Sequence, residues 1–304
     1  MAPLADILGP ISARLGELEG EPVALTGGIT NRNYKVRFAG SDVVVRLPGK
    51  DTDLLGIDRA AEKAAGELAA AAGIGPVVVA MLDDPPCLVT EFVVGEPMDA
   101  EQLRQPGALA EAAATLRALH AREERLPIEF SSFRIVETYA ARMAGRGAEV
   151  PSSYEWAMAA AHRIEDGLAG PEHTPVPCHN DLLPANFIGS PRGMRLIDWE
   201  YAGMGDRFFD LGNFAVNNEL DDSQEAELLA AYFEAPASSC RLATLRLMRF
   251  MSDFREAMWG AVQSTISDLD FDFDAYCAKH FDRMRESAGD GRLEALLEEA
   301  GAPG

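Results

Sequence analysis

The stretch His179-Asn180-Asp181-Leu182-Leu183-Pro184-Ala185-Asn186, with Leu196-Ile197-Asp198-Trp199-Glu200-Tyr201 downstream, sets one aspartate, an amide five positions on, and a second aspartate twelve positions beyond the amide. Taken singly, each of these reads as an Asx turn in which the side chain bonds its own backbone. Together they supply what phosphoryl transfer needs. Asp181 can orient an acceptor hydroxyl and take its proton, while Asn186 and Asp198 offer hard oxygen ligands to Mg²⁺. The surrounding stretch, residues 177–213, is rich in Pro, Gly and Asp and reads as loop and short strand. Polar loops carried on a scaffold are where chemistry is usually placed.

Outward from this stretch the sequence changes character. Ala, Leu, Glu and Arg at helical spacing dominate residues 100–121 and 154–168. They recur over 224–263, with a break expected near Pro236, and over 274–300. The opening third reads differently, as strand, turn, strand, helix and strand. Residues 25–38 carry a Gly-Gly turn and then alternation, 41–49 are a β-branched run stopped by Pro48 and Gly49, and 58–72 are an Ala-rich helix ending at Gly73. Two more strands follow around the Asp83-Asp84-Pro85-Pro86 turn. The 304 residues, 47% of them hydrophobic, suffice for one bilobal unit or two small domains.

The formal charge of −22 excludes a general nucleic-acid or anionic-membrane binder and suits a cationic small molecule. Cys87, Cys178, Cys240 and Cys277 are scattered, with neither a disulfide framework nor metal-ligand spacing. Residues 1–20 lack the pattern of a leader peptide, and no stretch reaches the roughly 18 apolar residues of a membrane span. A soluble, cytoplasmic protein is the expectation.

The two motifs resemble those of the kinase-like small-molecule phosphotransferases, the choline/ethanolamine kinase family within the aminoglycoside phosphotransferase superfamily. Residues 179–186 look like their catalytic loop, and residues 196–201 look like their counterpart of the protein-kinase Asp-Phe-Gly. The resemblance implies an α+β, bilobal protein-kinase-like fold. Residues 1–95 would form a nucleotide-binding N-lobe with a small mixed sheet and one main helix; residues 96–304 would form a larger, mostly helical C-lobe with the catalytic loop and acceptor pocket. It also implies Mg²⁺ as cofactor and ATP as co-substrate. Thr26, Gly27, Gly28, Ile29, Thr30 and Asn31 resemble the loop that covers the phosphates, with Gly27, Gly28, Thr30 and Asn31 as its contacts. Arg46 stands where protein kinases keep the phosphate-contacting lysine, and Glu62 is its expected carboxylate partner, with Glu67 as second choice. Residues 90–96 resemble the hinge between lobes, where backbone groups near Glu91 and Val93 would hold adenine. Asp210 would brace the catalytic loop.

Only eleven residues separate Asp198 from Asp210, too few for a peptide-binding activation segment, so the acceptor should be a small molecule. Residues 254–286 resemble the closing helices of choline and ethanolamine kinases, which implies an aromatic cage for a cationic amino alcohol, choline foremost, built from Trp259, Tyr201 and Glu200. Asn217 and Glu256 depart from the animal-type pattern, which has a glutamate and a second tryptophan there. Ethanolamine, thiamine or an aminoglycoside are the alternative acceptors, and a nucleotide-binding pseudokinase is the reading outside enzymes. Asp268, Asp270, Asp272 and Asp274 read as a solvated face, with Leu269, Phe271 and Phe273 turned inward. His179 is expected to support the loop, and His120 to be structural.

Overall fold

The computed structural model describes residues 4–25, 31–49, 52–84, 86–168, 170–267 and 269–301. Gly27, Gly28, Thr30 and Asp268 lie outside the described residues. Helix α1 (Leu4–Leu15) precedes strands β1 (Leu18–Leu25), β2 (Asn31–Phe38) and β3 (Ser41–Pro48), helix α2 (Arg59–Ala71), and strands β4 (Val78–Asp83) and β5 (Pro86–Glu91). The strands form one antiparallel sheet in the order β1-β2-β3-β5-β4.

Strand periodicity places the chemistry here. Successive side chains alternate faces, so Val43, Val45 and Leu47 join Ile7 and Ile11 of α1 in one core. Arg46 faces the other way, toward α2. That helix is capped by Asp58, whose side chain accepts from the Ala61 N–H. Its Ala65, Leu68 and Ala69 belong to the second, larger core, together with residues of the C-terminal helices. The helix that faces the sheet is thereby anchored in the other lobe's core.

Past the linker, a short strand β6 (Glu96–Pro97) and helices α3 (Ala100–Leu103), α4 (Pro106–His120), α5 (Ser132–Gly145) and α6 (Tyr154–Gly167) lead to strand β7 (Val176–Cys178). A hairpin of β8 (Phe187–Ser190) and β9 (Gly193–Leu196) follows, then β10 (Gly203–Gly205) and helices α7 (Arg207–Asn217), α8 (Asp222–Phe233), α9 (Ser239–Ile266), α10 (Phe273–Ala288) and α11 (Arg292–Ala300). Strand β7 pairs with β10, and β6-β8-β9 form a second small sheet. The 28-residue α9 packs against α5, α7, α10 and α11. None of the helices is long and apolar enough to cross a membrane among the described residues.

Several sequence expectations are corrected. The helix expected over 100–121 is broken at residues 104–105, where Pro106 starts α4 with a ring that cannot continue α3. Residues 207–213 are the start of α7 rather than loop, capped by Asp206, whose carboxylate accepts from the Phe208 N–H at 2.8 Å. Leu269 and Phe271 are not inward: they are 51% and 42% exposed, and only Phe273 is buried. Asp272 caps α10 by accepting from Ala275.

The α7–α9 crossing has no room for a side chain at Gly212. A Cβ there would stand 2.7 Å from the Met248 carbonyl carbon and 2.8 Å from the Arg249 nitrogen, both backbone. Gly212→Ala is therefore expected to destabilise the chain by about 1–3 kcal/mol through overpacking, despite alanine's better helix propensity. Thermal denaturation checks this, and a Tm at or above wild type would contradict the packing argument.

Candidate active site

Two loops converge because their flanking strands pair. The loop at 179–183 leaves β7, the loop at 197–202 enters β10, and the Ile197 N–H donates to the Asn186 carbonyl at 3.0 Å. Asp210, on the first turn of α7, braces the first loop. Its Oδ1 accepts from the Asn180 N–H at 2.7 Å and its Oδ2 from the His179 N–H at 2.8 Å. His120 Nε2 lies 3.0 Å from the same Oδ2, while its Nδ1 meets the Tyr232 hydroxyl at 2.8 Å. Asn213, one turn on, accepts from the Leu182 N–H and donates to Ser252 on α9. His179 donates from Nε2 to the Ile197 carbonyl and accepts at Nδ1 from the Asp181 N–H, linking the loops in its neutral form; burial pushes its pKa down.

This bracing holds Asn180 at φ 65° and Asp198 at φ 70°, in the left-handed region that few non-glycine residues occupy. Such strain persists only where the surroundings over-determine it, and it clusters at functional sites. Asp181 is 8% exposed and Asn186 equally so. The Asn186 amide nitrogen donates to the Asp181 carbonyl at 2.8 Å, which leaves Oδ1 as the atom it can offer a cation.

Across from these loops, Arg46 joins the sheet to α2 and to the second loop. Its Nη1 donates to Glu62 Oε1 at 2.8 Å, and its Nη2 bonds Asp198 Oδ1. Glu67, the second-choice partner, instead pairs with Lys63 at the surface. Arg59, which the sequence reading passed over, donates to Glu62 at 2.7 Å and approaches Glu200 at 3.5 Å. Glu200 is placed differently from the expected cage. It turns to the N-lobe, where its Oε2 accepts from Asn31 Nδ2 at 2.8 Å and lies 3.8 Å from Arg46.

The aromatic side is built on α9. Trp259 Nε1 donates to the Tyr201 hydroxyl at 3.0 Å, and Phe273 and Tyr276 meet the indole edge-on. Two further residues stand between this cluster and Asp181. Arg255 Nη1 lies 3.3 Å from Asp181 Oδ1 and also bonds Glu256, while its guanidinium sits 4.3 Å over the Tyr201 ring. Glu256 accepts from the Tyr276 hydroxyl at 2.7 Å. In the linker, the Glu91 N–H is taken by the Val77 carbonyl, whereas among the described residues nothing bonds the Val93 backbone. Gly95 follows, where a Cβ would lie 2.3 Å from the Gly189 carbonyl oxygen.

Five carboxylates thus meet three guanidiniums in two clusters, Arg46 and Arg59 with Glu62, Asp198 and Glu200, and Arg255 with Asp181 and Glu256. Each cluster holds one more carboxylate than guanidinium, and Asn186 Oδ1 with Asp198 are hard oxygen donors of the kind Mg²⁺ takes. The shortage shows in the acids. Asp181 is pushed up to about 7 by burial and by Glu256, Asp198 and Glu200, against the pull of Arg255. Glu200 is also pushed up to about 7, by burial and Asp198 first.

Residues 22–249 match the phosphotransferase enzyme family. The chain is 30% identical to ethanolamine kinase 2 of Rattus norvegicus, covering 84% of this chain and 73% of that protein. A choline/ethanolamine kinase family protein from Mesorhizobium loti superposes with a TM-score of 0.82 at 27% identity, over 97% of this chain and 99% of that one. Choline kinase LicA from Streptococcus pneumoniae gives 0.79 at 25% identity, over 96% and 99%.

Two measurements test this geometry. Asp210→Ala would leave two buried backbone N–H groups and His120 without their acceptor, an expected loss on the order of 3 kcal/mol or more; an unchanged Tm would contradict the bracing role. The raised Asp181 carboxyl binds its proton more tightly folded than unfolded. Its destabilising effect is therefore absent below the unfolded value, near 4, and grows as pH rises toward about 7. Asp181→Asn should thus stabilise the metal-free protein at pH 8 and leave it nearly unchanged at pH 4; equal Tm for both proteins at pH 8 would contradict the assignment.

Proposed function

The chain belongs to the choline/ethanolamine kinase family within the phosphotransferase enzyme family, and on that premise we propose that it moves the γ-phosphoryl group of ATP to the hydroxyl of a small amino alcohol. Asp181 orients the hydroxyl and takes its proton as the oxygen attacks the γ-phosphorus; the bond to the β–γ bridging oxygen breaks, and ADP leaves. Mg²⁺ would be held by Asn186 and Asp198 and would neutralise charge on the phosphates. Arg46, fixed by Glu62, and Asn31 face the nucleotide phosphates; Gly27, Gly28 and Thr30, the other phosphate contacts expected from the sequence, lie outside the described residues. Adenine sits at the linker against the free backbone groups of Val93 and near Glu91. The observation that carries this reading is the tie between the two loops, the Ile197 N–H to the Asn186 carbonyl and His179 Nε2 to the Ile197 carbonyl, which brings the segments bearing Asp181, Asn186 and Asp198 together.

The reading extends to an acceptor with N–H donors, ethanolamine-like, in preference to choline, the acceptor expected from the sequence. A quaternary ammonium wants bare aromatic faces. Here a face of Tyr201 is covered by Arg255, and Glu256 with the Tyr276 hydroxyl puts hydrogen-bond acceptors beside Trp259. Relatives named ethanolamine kinase agree with this reading.

ADP release measured with ethanolamine, choline, thiamine and kanamycin should show turnover with the amino alcohols and a higher kcat/KM for ethanolamine than for choline. Turnover with kanamycin alone would contradict the reading. Asp181→Ala should lower kcat by two or more orders of magnitude, with ATP affinity nearly intact. Asp198→Ala should abolish Mg²⁺-dependent nucleotide binding in a calorimetric titration, and binding at wild-type strength would remove the metal role.

A further inference from the structure

Arg255 is 1% exposed, and the nitrogens carrying three of its five N–H donors are idle. Nη1 serves both Asp181 and Glu256, but Nε and Nη2 are buried with no hydrogen-bond partner. Arginine is always charged, and a buried donor left unpaired opposes folding. A native structure keeps such a group for a reason. The idle atoms are also a specific pair. Nε and Nη2 form one edge of the guanidinium fork, whose two parallel N–H bonds match the two oxygens of a carboxylate.

The position of this edge narrows what it would bind. The nucleotide side of the cleft already has Arg46 and Arg59, both of them engaged with Glu62. Arg255 belongs to the other side, four residues from Trp259 on the same helix face, stacked on Tyr201 and bonded to the carboxylate that would receive the acceptor's proton. A pocket meant only for a cation would gain nothing from a permanent positive charge in its wall. A pocket for a zwitterion needs one, with Glu256 and the Trp259 ring left for the ammonium.

We propose that Arg255 binds a carboxylate carried by the acceptor through its Nε–Nη2 edge, so that the amino alcohol this site phosphorylates is a hydroxy amino acid. This rests on the phosphotransferase reading and specifies its substrate. Both nitrogens are closed to solvent in the structure, so engaging them takes a local rearrangement of the kind that accompanies substrate closure.

Serine is ethanolamine with a carboxylate on the carbon that bears nitrogen, and carnitine is choline with a carboxymethyl group on the carbon that bears the hydroxyl. Each pair therefore isolates the carboxylate. ADP release coupled to a reporter enzyme, with product confirmed by mass spectrometry, should give a kcat/KM for serine at least about tenfold above that for ethanolamine, with carnitine above choline. Arg255→Gln should collapse the serine-to-ethanolamine ratio toward one, chiefly through KM for serine. Arg255→Lys, which keeps the charge near Asp181 but not the fork, should recover turnover of ethanolamine and not the preference. Ethanolamine equal to or better than serine in the wild type would overturn the proposal and leave the amino-alcohol kinase reading standing. An equal fall in kcat for all acceptors in Arg255→Gln would also overturn it, assigning the oxyanion to the phosphoryl group in transit. No turnover of any of the four would overturn both readings.

Discussion

A shortage of positive charge organises this molecule. Five carboxylates meet three guanidiniums in two largely buried clusters, and two of the acids, Asp181 and Glu200, are held near 7 by burial first and by their acidic neighbours next. Burying like charges together opposes folding, because desolvation and repulsion add. The rest of the chain supplies what holds them in place. Asp210 and Asn213 fix the loop before Asn186, His179 ties that loop to the one bearing Asp198, and α2 is anchored in the larger core so that Glu62 can meet Arg46 on the sheet.

The cost has a functional return. A carboxyl poised near neutrality can take a proton from an alcohol as a divalent cation neutralises its neighbours, which a fully ionised surface aspartate does less well. The strained φ angles at Asn180 and Asp198 fit the same pattern, since the scaffold fixes both residues where their backbones alone would not settle. On the acceptor side, Arg255 and Glu256 put a pair of charges beside Tyr201 and Trp259.

How much of this was legible in the sequence follows from how local each signal is. Asp181, Asn186 and Asp198 were singled out by their spacing, and the Arg46–Glu62 pair, which the structure forms, by the resemblance to kinases, which puts a phosphate-contacting cation on that strand and its carboxylate partner on the next helix. Arg59 and Arg255 were invisible to that reasoning. Each has a partner on its own helix, Glu62 and Glu256, but the ones that tie it to the site, Glu200 and Asp181, lie on other elements, and an arginine within an amphipathic helix reads as surface. One hint existed: Arg255 and Glu256 interrupt an otherwise apolar stretch four residues before Trp259. Glu200 was placed with Tyr201 by adjacency, yet side chains one apart diverge, and it turned to Asn31 and the arginines instead. Helix α7 was missed because glycine and asparagine at 212 and 213 disguise it, although both are required by contacts with α9. Leu269 and Phe271 read as core from alternation, which cannot report what covers them.

The family relationship fixes the kind of reaction, and the side chains around Trp259 bear on the acceptor. The shortage of positive charge lies on both sides of Asp181. The most direct measurement of it needs no substrate: the Tm of the metal-free protein in millimolar MgCl₂ against KCl of equal ionic strength, for wild type and Asp198→Asn. The account predicts that Mg²⁺ raises the Tm of the wild type above its value in KCl, and that Asp198→Asn removes this gain. An identical response of the two proteins to Mg²⁺ would contradict it.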